Sequence, residues 1–244
     1  MFSIAFCTSF HIMLLCMYIH IFSDDGDGEG KVDTLIDFPF ETDPDDHCES
    51  PLEAYKDITP LLKVVGSKAS IYDPYYCNGR VVQNLKDLGF DNVYNRKEDC
   101  YKVWESETCP SFDLLLTNPP YSGDHMEQLM RFLTSSSFGS RPWFLLLPQF
   151  VHKKDYYQKM TSKIRPFYIV PKKRYIYLPP KSFRESKKSD THKKSSPFVS
   201  MWYIWGGSQQ ANEKLLAAAQ RGCSSTCDVA RSKSALRDLR RKKR

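Results

Sequence analysis

Two adjacent prolines, Pro119 and Pro120, follow closely on the apolar run Phe112-Asp113-Leu114-Leu115-Leu116-Thr117. A proline fixes φ and has no amide hydrogen to give, so neither strand nor helix continues through the pair. The run therefore reads as a buried strand that stops at Asn118 in a rigid turn. Beyond it, Met126, Leu129, Met130 and Leu133 recur at helical spacing, and Trp143-Phe144-Leu145-Leu146-Leu147 is a second apolar strand ending at Pro148. Upstream, residues 53–65 predict a helix introduced by Ser50-Pro51, residues 70–72 a short strand, residues 80–88 a helix closed by Gly89, and residues 92–95 another strand. Strand and helix alternate. That predicts an α/β fold, a mostly parallel sheet with helices on both faces.

Residues 155–164 predict one more helix, and 174–178 and 198–205 are β-rich runs expected to form a terminal antiparallel pair around a polar loop. After Gly206-Gly207 come an Ala-rich helix and the basic run 237–244. The expected organisation is a hydrophobic segment 1–22, an acidic linker 23–45, a folded domain 46–207 and a basic tail 208–244. Residues 1–22 contain no Asp, Glu, Lys or Arg. They approach the roughly 20 apolar residues that span a bilayer, yet Thr8, Ser9, His11 and His20 dilute them and no basic residue precedes them. A signal or membrane anchor and an unstructured end are both open. The eight cysteines lack paired Cys-x-x-Cys spacing, so reduced thiols and no metal site are expected, with a nuclear or cytoplasmic location. A formal charge of +6, acidic early and basic late, points toward a polyanionic partner.

Ligands of open α/β sheets sit outside the carboxyl ends of the strands, where Asn118-Pro119-Pro120-Tyr121 is placed. An amide oxygen on Asn118 and a rigid Pro119 carbonyl give two acceptors for the hydrogens of an –NH2 group, Pro120 stiffens the turn, and Tyr121 offers a face for a flat ring. A second constellation, Asp73-Pro74-Tyr75-Tyr76-Cys77-Asn78-Gly79, follows the strand at 70–72 and opens a helix.

Together these residues resemble the class I S-adenosylmethionine-dependent amino-methyltransferases of the Asn-Pro-Pro-Tyr type, which act on adenine in DNA or RNA and have relatives that act on guanine amines and glutamine amides. Leu115-Leu116-Thr117 and Ser122 fit the same pattern. The resemblance implies a Rossmann-like methyltransferase domain over 46–207, with methyl transfer to an exocyclic amine held by Asn118 and Pro119 and stacked on Tyr121. It also implies S-adenosyl-L-methionine bound by Asp73, Pro74, Tyr75, Cys77 and Gly79; Cys77 stands where the family has glycine. For the cofactor ribose Asn95, Glu98 and Asp99 compete, with Asp99 preferred. Cys48-Glu49-Ser50-Pro51 resembles the segment that crosses the cofactor, and Tyr55 and Asp57 either join it or are an ordinary helix face. Lys181, Arg184, Lys187 and Lys188 belong to a loop expected to meet nucleic-acid phosphates or simply to be solvated. The run 237–244 reads as a localisation signal, a nucleic-acid arm or a plain end. A partner subunit that supplies recognition is compatible with all of this. Two alternatives stay open: a protein glutamine methyltransferase, and a nucleic-acid-binding module that keeps the fold without the chemistry.

Overall fold

Consecutive apolar residues along a strand point to opposite faces of a sheet and must be covered on both sides, and the computed structural model shows how this chain covers them. It describes residues 39–40, 46, 48–177 and 199–242. The strands are β1 (Ile71–Tyr72), β2 (Val93–Tyr94), β3 (Leu114–Thr117), β4 (Trp143–Pro148), β5 (Phe167–Pro171), β6 (Ser200–Trp205) and β7 (Cys227–Ala230). The helices are α1 (Leu52–Val65), α2 (Arg80–Asp87), α3 (Cys100–Glu105), α4 (His125–Leu133), α5 (Asp155–Met160), α6 (Gln209–Gly222) and α7 (Lys233–Lys242), with a 3₁₀ turn at Gln149–Lys153.

The strands form one seven-stranded sheet in the order β2-β1-β3-β4-β6-β5-β7. The first four in that order run parallel, and β6 and β7 oppose the other five. Leu114 and Leu116 of β3 enter one core with Phe144, Leu146, Ile169, Trp202 and Ile204, covered by α1, α2 and α6. Leu115, on the opposite face, joins Leu145, Leu147, Tyr168 and Tyr203 under α3, α4, α5 and α7. The parallel α/β architecture with helices on both faces is as the periodicity predicts.

Three expectations change. Residues 174–177 are not a strand, although Tyr175 and Tyr177 are buried. Their hydroxyls reach across the core instead, Tyr175 donating to Asp57 Oδ2 at 2.6 Å and Tyr177 lying 2.5 Å from Ser200 Oγ. The ladder partner of β6 is Phe167–Pro171, an unbroken apolar run. The antiparallel pair is also not terminal, because β6 inserts between β4 and β5. Finally, the fold does not stop at Gly207. Leu215, Ala219, Cys223, Cys227, Ala230 and Leu236 are core residues, interspersed among charged side chains that disguised them as a tail. The helix expected over 155–164 is shorter, ending at Met160. The hydrophobic segment 1–22 and the loop 181–196 lie outside the described residues. Among the described residues no helix is long and apolar enough to cross a membrane.

A chain ending at Gly207 removes α6 from α1 and the edge strand from β5. The expected result is loss of cooperative thermal unfolding and of near-ultraviolet circular dichroism; a sharp transition like that of the full chain would show that 208–242 is dispensable.

Candidate functional site

Parallel pairing sets the site. Ile71 lies opposite Leu114 and Tyr72 opposite Leu115, so β1 and β3 end side by side and their exit loops meet. Thr117 Oγ1 donates to Asp73 Oδ1 at 2.6 Å, and the Tyr75 amide donates to the same oxygen at 3.2 Å. Asp73 is only 6% exposed. Burial pushes its carboxyl up to about 7, outweighing the two hydrogen bonds that lower it.

The Asp73 to Gly79 loop turns into α2 at Gly79, whose φ of 73° is left-handed. A Cβ there would sit 3.3 Å from the Tyr76 ring, so glycine is needed for both backbone and space. Glu49 crosses the loop and accepts the Asn78 amide hydrogen at 2.8 Å, and Ser50 O accepts from Asn84 Nδ2 at 3.2 Å. The segment at 48–51 thus lies against the Asp73 to Gly79 loop and the start of α2. Cys77 is half-buried, and burial with Glu49 beside it pushes its thiol well up, so it acts as a neutral packing residue. Tyr75 is buried; its hydroxyl donates to His125 O at 3.3 Å. Pro74, just before it in the loop, is buried as well. Tyr55 is 4% exposed and packs on Trp202, backing the loop from within the core. Asp57 points away, accepting from Tyr175 and from Thr226 at 2.6 Å each.

Of the three candidates after β2, Asp99 is the N-cap of α3, accepting the amides of Tyr101 and Lys102 and pairing with Lys102 at 3.2 Å. Glu98 accepts from the Tyr94 hydroxyl at 2.8 Å. Asn95 is the one that touches the loop, its Nδ2 donating to Asp73 O at 3.0 Å. Its Oδ1 is buried and has no hydrogen-bond partner among the described residues. A buried acceptor left unmet costs about 1–3 kcal/mol, and it lies on the loop side of β2. Asp99, the preferred candidate, is engaged as a helix cap and in an ion pair, while Asn95 carries the unmet acceptor.

In the tetrad, Pro119 is buried and Asn118, Pro120 and Tyr121 are half-buried. The Tyr121 hydroxyl donates to Asn118 Oδ1 at 2.6 Å and lies 3.3 Å from Leu146 O. The ring expected to offer its face is thus tied to the amide expected to grip the amine. Burial pushes the Tyr121 hydroxyl far above its ordinary range, so it stays protonated as a donor. A residue the sequence reading missed holds the turn from outside. Asp46 Oδ1 accepts the amides of Tyr121 at 2.9 Å and Ser122 at 3.2 Å, and its Oδ2 accepts the Ser122 hydroxyl. Phe40, Tyr101 and His125 were also missed. Phe40 packs against Tyr75 and Tyr101 at 5.8 and 5.5 Å between centroids, and Tyr101 Oη lies 2.5 Å from His125 Nδ1. Nothing in local sequence marks these residues, since Asp46 and Tyr121 are 75 positions apart. Lys181, Arg184, Lys187 and Lys188 lie outside the described residues.

Set against models of protein families, the chain matches none, and no curated protein matches it either.

Asp73 yields a pH signature. A folded carboxyl held near 7 against an ordinary 3.8 keeps its proton after the unfolded chain has lost it. That stabilisation is full below about pH 4 and is lost as pH rises through about 7, on the order of 4 kcal/mol in all. Asp73→Asn is expected to flatten this slope in thermal melts between pH 5 and 8 and to exceed the wild type in stability at the alkaline end; an unaltered slope would assign it to another group. Asp46→Ala strands two amides and a hydroxyl, and a destabilisation of about 2 kcal/mol is expected in urea titrations.

Proposed function

We propose that this chain is a class I S-adenosylmethionine-dependent N-methyltransferase whose preferred acceptor is the exocyclic amine of adenine in RNA or DNA. The observation that carries the reading is the Thr117 to Asp73 bond, which fastens the Asn118-Pro119-Pro120-Tyr121 turn to the Asp73 to Gly79 loop. The two constellations of the resemblance, 39 positions apart from Gly79 to Asn118, are thereby neighbours at one sheet edge. The reversed strand β6 beside β4 supports the same reading.

The residues at this edge suit the cofactor. The left-handed turn at Gly79 lets backbone approach a ligand, the unmet Asn95 Oδ1 suits a hydroxyl donor such as a ribose, and the buried Asp73 carboxyl would lose its proton beside a cation. When bound, S-adenosylmethionine supplies an electrophilic methyl group on a sulfonium. The chain's own part is orientation. Asn118 Oδ1 and the Pro119 carbonyl accept the two N–H hydrogens of the target amine and aim its nitrogen, a contribution of geometry and preorganised dipoles. No strong base is needed, because the proton leaves to water after transfer. Acceptor entry replaces the Tyr121 hydroxyl at Asn118 Oδ1 and frees the ring to stack. In a duplex the base must also leave the helix.

A glutamine side chain is the second acceptor of the same chemistry. The Tyr121 to Asn118 bond and Cys77 in a glycine position favour a different second reading, a nucleic-acid-binding module without catalysis. Purified protein incubated with tritiated cofactor and total RNA, genomic DNA or protein separates them. Label sensitive to nuclease is expected, with Asn118→Ala slower by roughly 100-fold or more. Label removed by protease instead points to glutamine, and no label with no calorimetric heat from the cofactor points to the binding module. An unchanged Asn118→Ala rate refutes the role given to the turn.

A further inference from the structure

The 3₁₀ turn Gln149–Lys153 leaves the end of β4, the strand whose Leu146 carbonyl lies 3.3 Å from the Tyr121 hydroxyl. The exit is fixed in place: Tyr203 Oη donates to Pro148 O at 2.8 Å and accepts the His152 amide at 3.1 Å. On this turn Phe150 is 38% exposed, a rarity among the large apolar side chains, and Lys154 Nζ sits 5.7 Å from its ring centroid. From Gln149 to Arg165 the chain carries five basic residues (Lys153, Lys154, Lys159, Lys163 and Arg165) against Asp155 alone. All five are exposed. The neighbouring helix α7 adds to them. Lys233 Nζ donates to Thr161 Oγ1 at 3.1 Å and lies over the Tyr157 ring of α5, which fixes this basic helix against the same surface; Arg237 follows one turn on, exposed.

We infer that this face, from Phe150 through α5 to α7, binds single-stranded nucleic acid and leads it to Asn118. The argument is one of chemistry and place. An exposed aromatic beside the candidate site offers a stacking platform for a base adjoining the target, worth about 1–3 kcal/mol and indifferent to sequence. Cations on the 3₁₀ turn, on α5, on the segment after it and on α7 neutralise successive phosphates and release their counterions on binding. The ion pairs among the described residues, Lys102 with Asp99 and Arg131 with Glu127, involve none of these five cations; Glu127 itself lies on α4 near Tyr156 of α5. An exposed ring among lysines also suits a lipid surface, but the place of this turn at the end of β4, whose Leu146 carbonyl meets the Tyr121 hydroxyl, favours a strand running to Asn118. The inference rests on the nucleic-acid reading of the acceptor, and it places recognition on secondary structure rather than on the loop 181–196.

Fluorescence anisotropy of the full chain with a labelled single-stranded RNA oligonucleotide, across a salt series and without cofactor, tests it. The combined Lys153→Ala, Lys154→Ala and Lys159→Ala variant is expected to bind roughly tenfold more weakly or worse, its salt slope reduced by about 0.7 for each phosphate no longer neutralised. Phe150→Ala is expected to weaken binding by roughly 5- to 100-fold with the slope unchanged. Both should melt as the wild type does, being surface changes. Wild-type affinity in both variants would overturn the inference, as would lysine-dependent binding to phosphatidylserine vesicles with RNA binding unaffected. The two readings fail separately. RNA binding that depends on these residues in a protein that transfers no methyl group counts against the enzyme alone, while methyl transfer undiminished in both variants counts against this surface alone.

Discussion

The short hydrogen bond from the Thr117 hydroxyl to the Asp73 carboxyl is the contact on which the candidate site depends. It joins the last residue of one parallel strand directly to the first residue past its neighbour, across 44 positions of chain. A net bond of this kind contributes about 1 kcal/mol, but leaving either partner unmet in the core costs more. Burial keeps Asp73 protonated to about neutrality, so the acid sits at the pH where a nearby cation or its absence decides its charge. Thr117 keeps the tetrad in register with the loop.

The reversed strand β6 explains why the rest of the chain is needed. Trp202 within it donates its indole hydrogen to Ala54 O, and the Tyr55 ring packs on the Trp202 ring. Helix α1 is held again at its Asp57 by Tyr175 and by Thr226, which precedes β7. Tyr55 in turn backs the Asp73 loop. The C-terminal third therefore supports the site through α1, and it also meets the tetrad directly, where Tyr177 and Ser200 hydrogen-bond the Tyr121 side chain.

The legibility of this chain follows its physics. Strand β3 and its proline stop were readable because the signal is local: six residues, one period, one breaker. Strands β5 and β7 were missed, and the Ala-rich helix was read as part of a tail, because a residue such as Ala219 or Leu236 counts as core only once another element covers it, and the surrounding Lys and Arg masked the pattern. Tyr175 and Tyr177 misled in the other direction. Their alternation is that of a strand, but the ladder was already taken by Phe167–Pro171. At the site, the positions of Asn118, Asp73 and Gly79 were readable from motif spacing. Asp46, Tyr101 and His125 were not, since each acts through a tertiary contact with no sequence period.

The bond between Tyr121 and Asn118 decides whether the site can work, and magnitudes favour opening over permanent closure. Breaking a neutral hydrogen bond and exposing the hydroxyl costs about 1–3 kcal/mol. Against it, on the proposed reading, would stand the two hydrogen bonds of an incoming amine to Asn118 Oδ1 and the Pro119 carbonyl, and about 1–3 kcal/mol from stacking on the released ring. Because the acceptor atom is already satisfied before substrate arrives, a ligand without an N–H donor gains nothing by displacing tyrosine. On the proposed methyltransferase reading, the closed contact would work as a selectivity device, admitting flat amines and leaving flat ketones outside while lowering affinity for every acceptor alike.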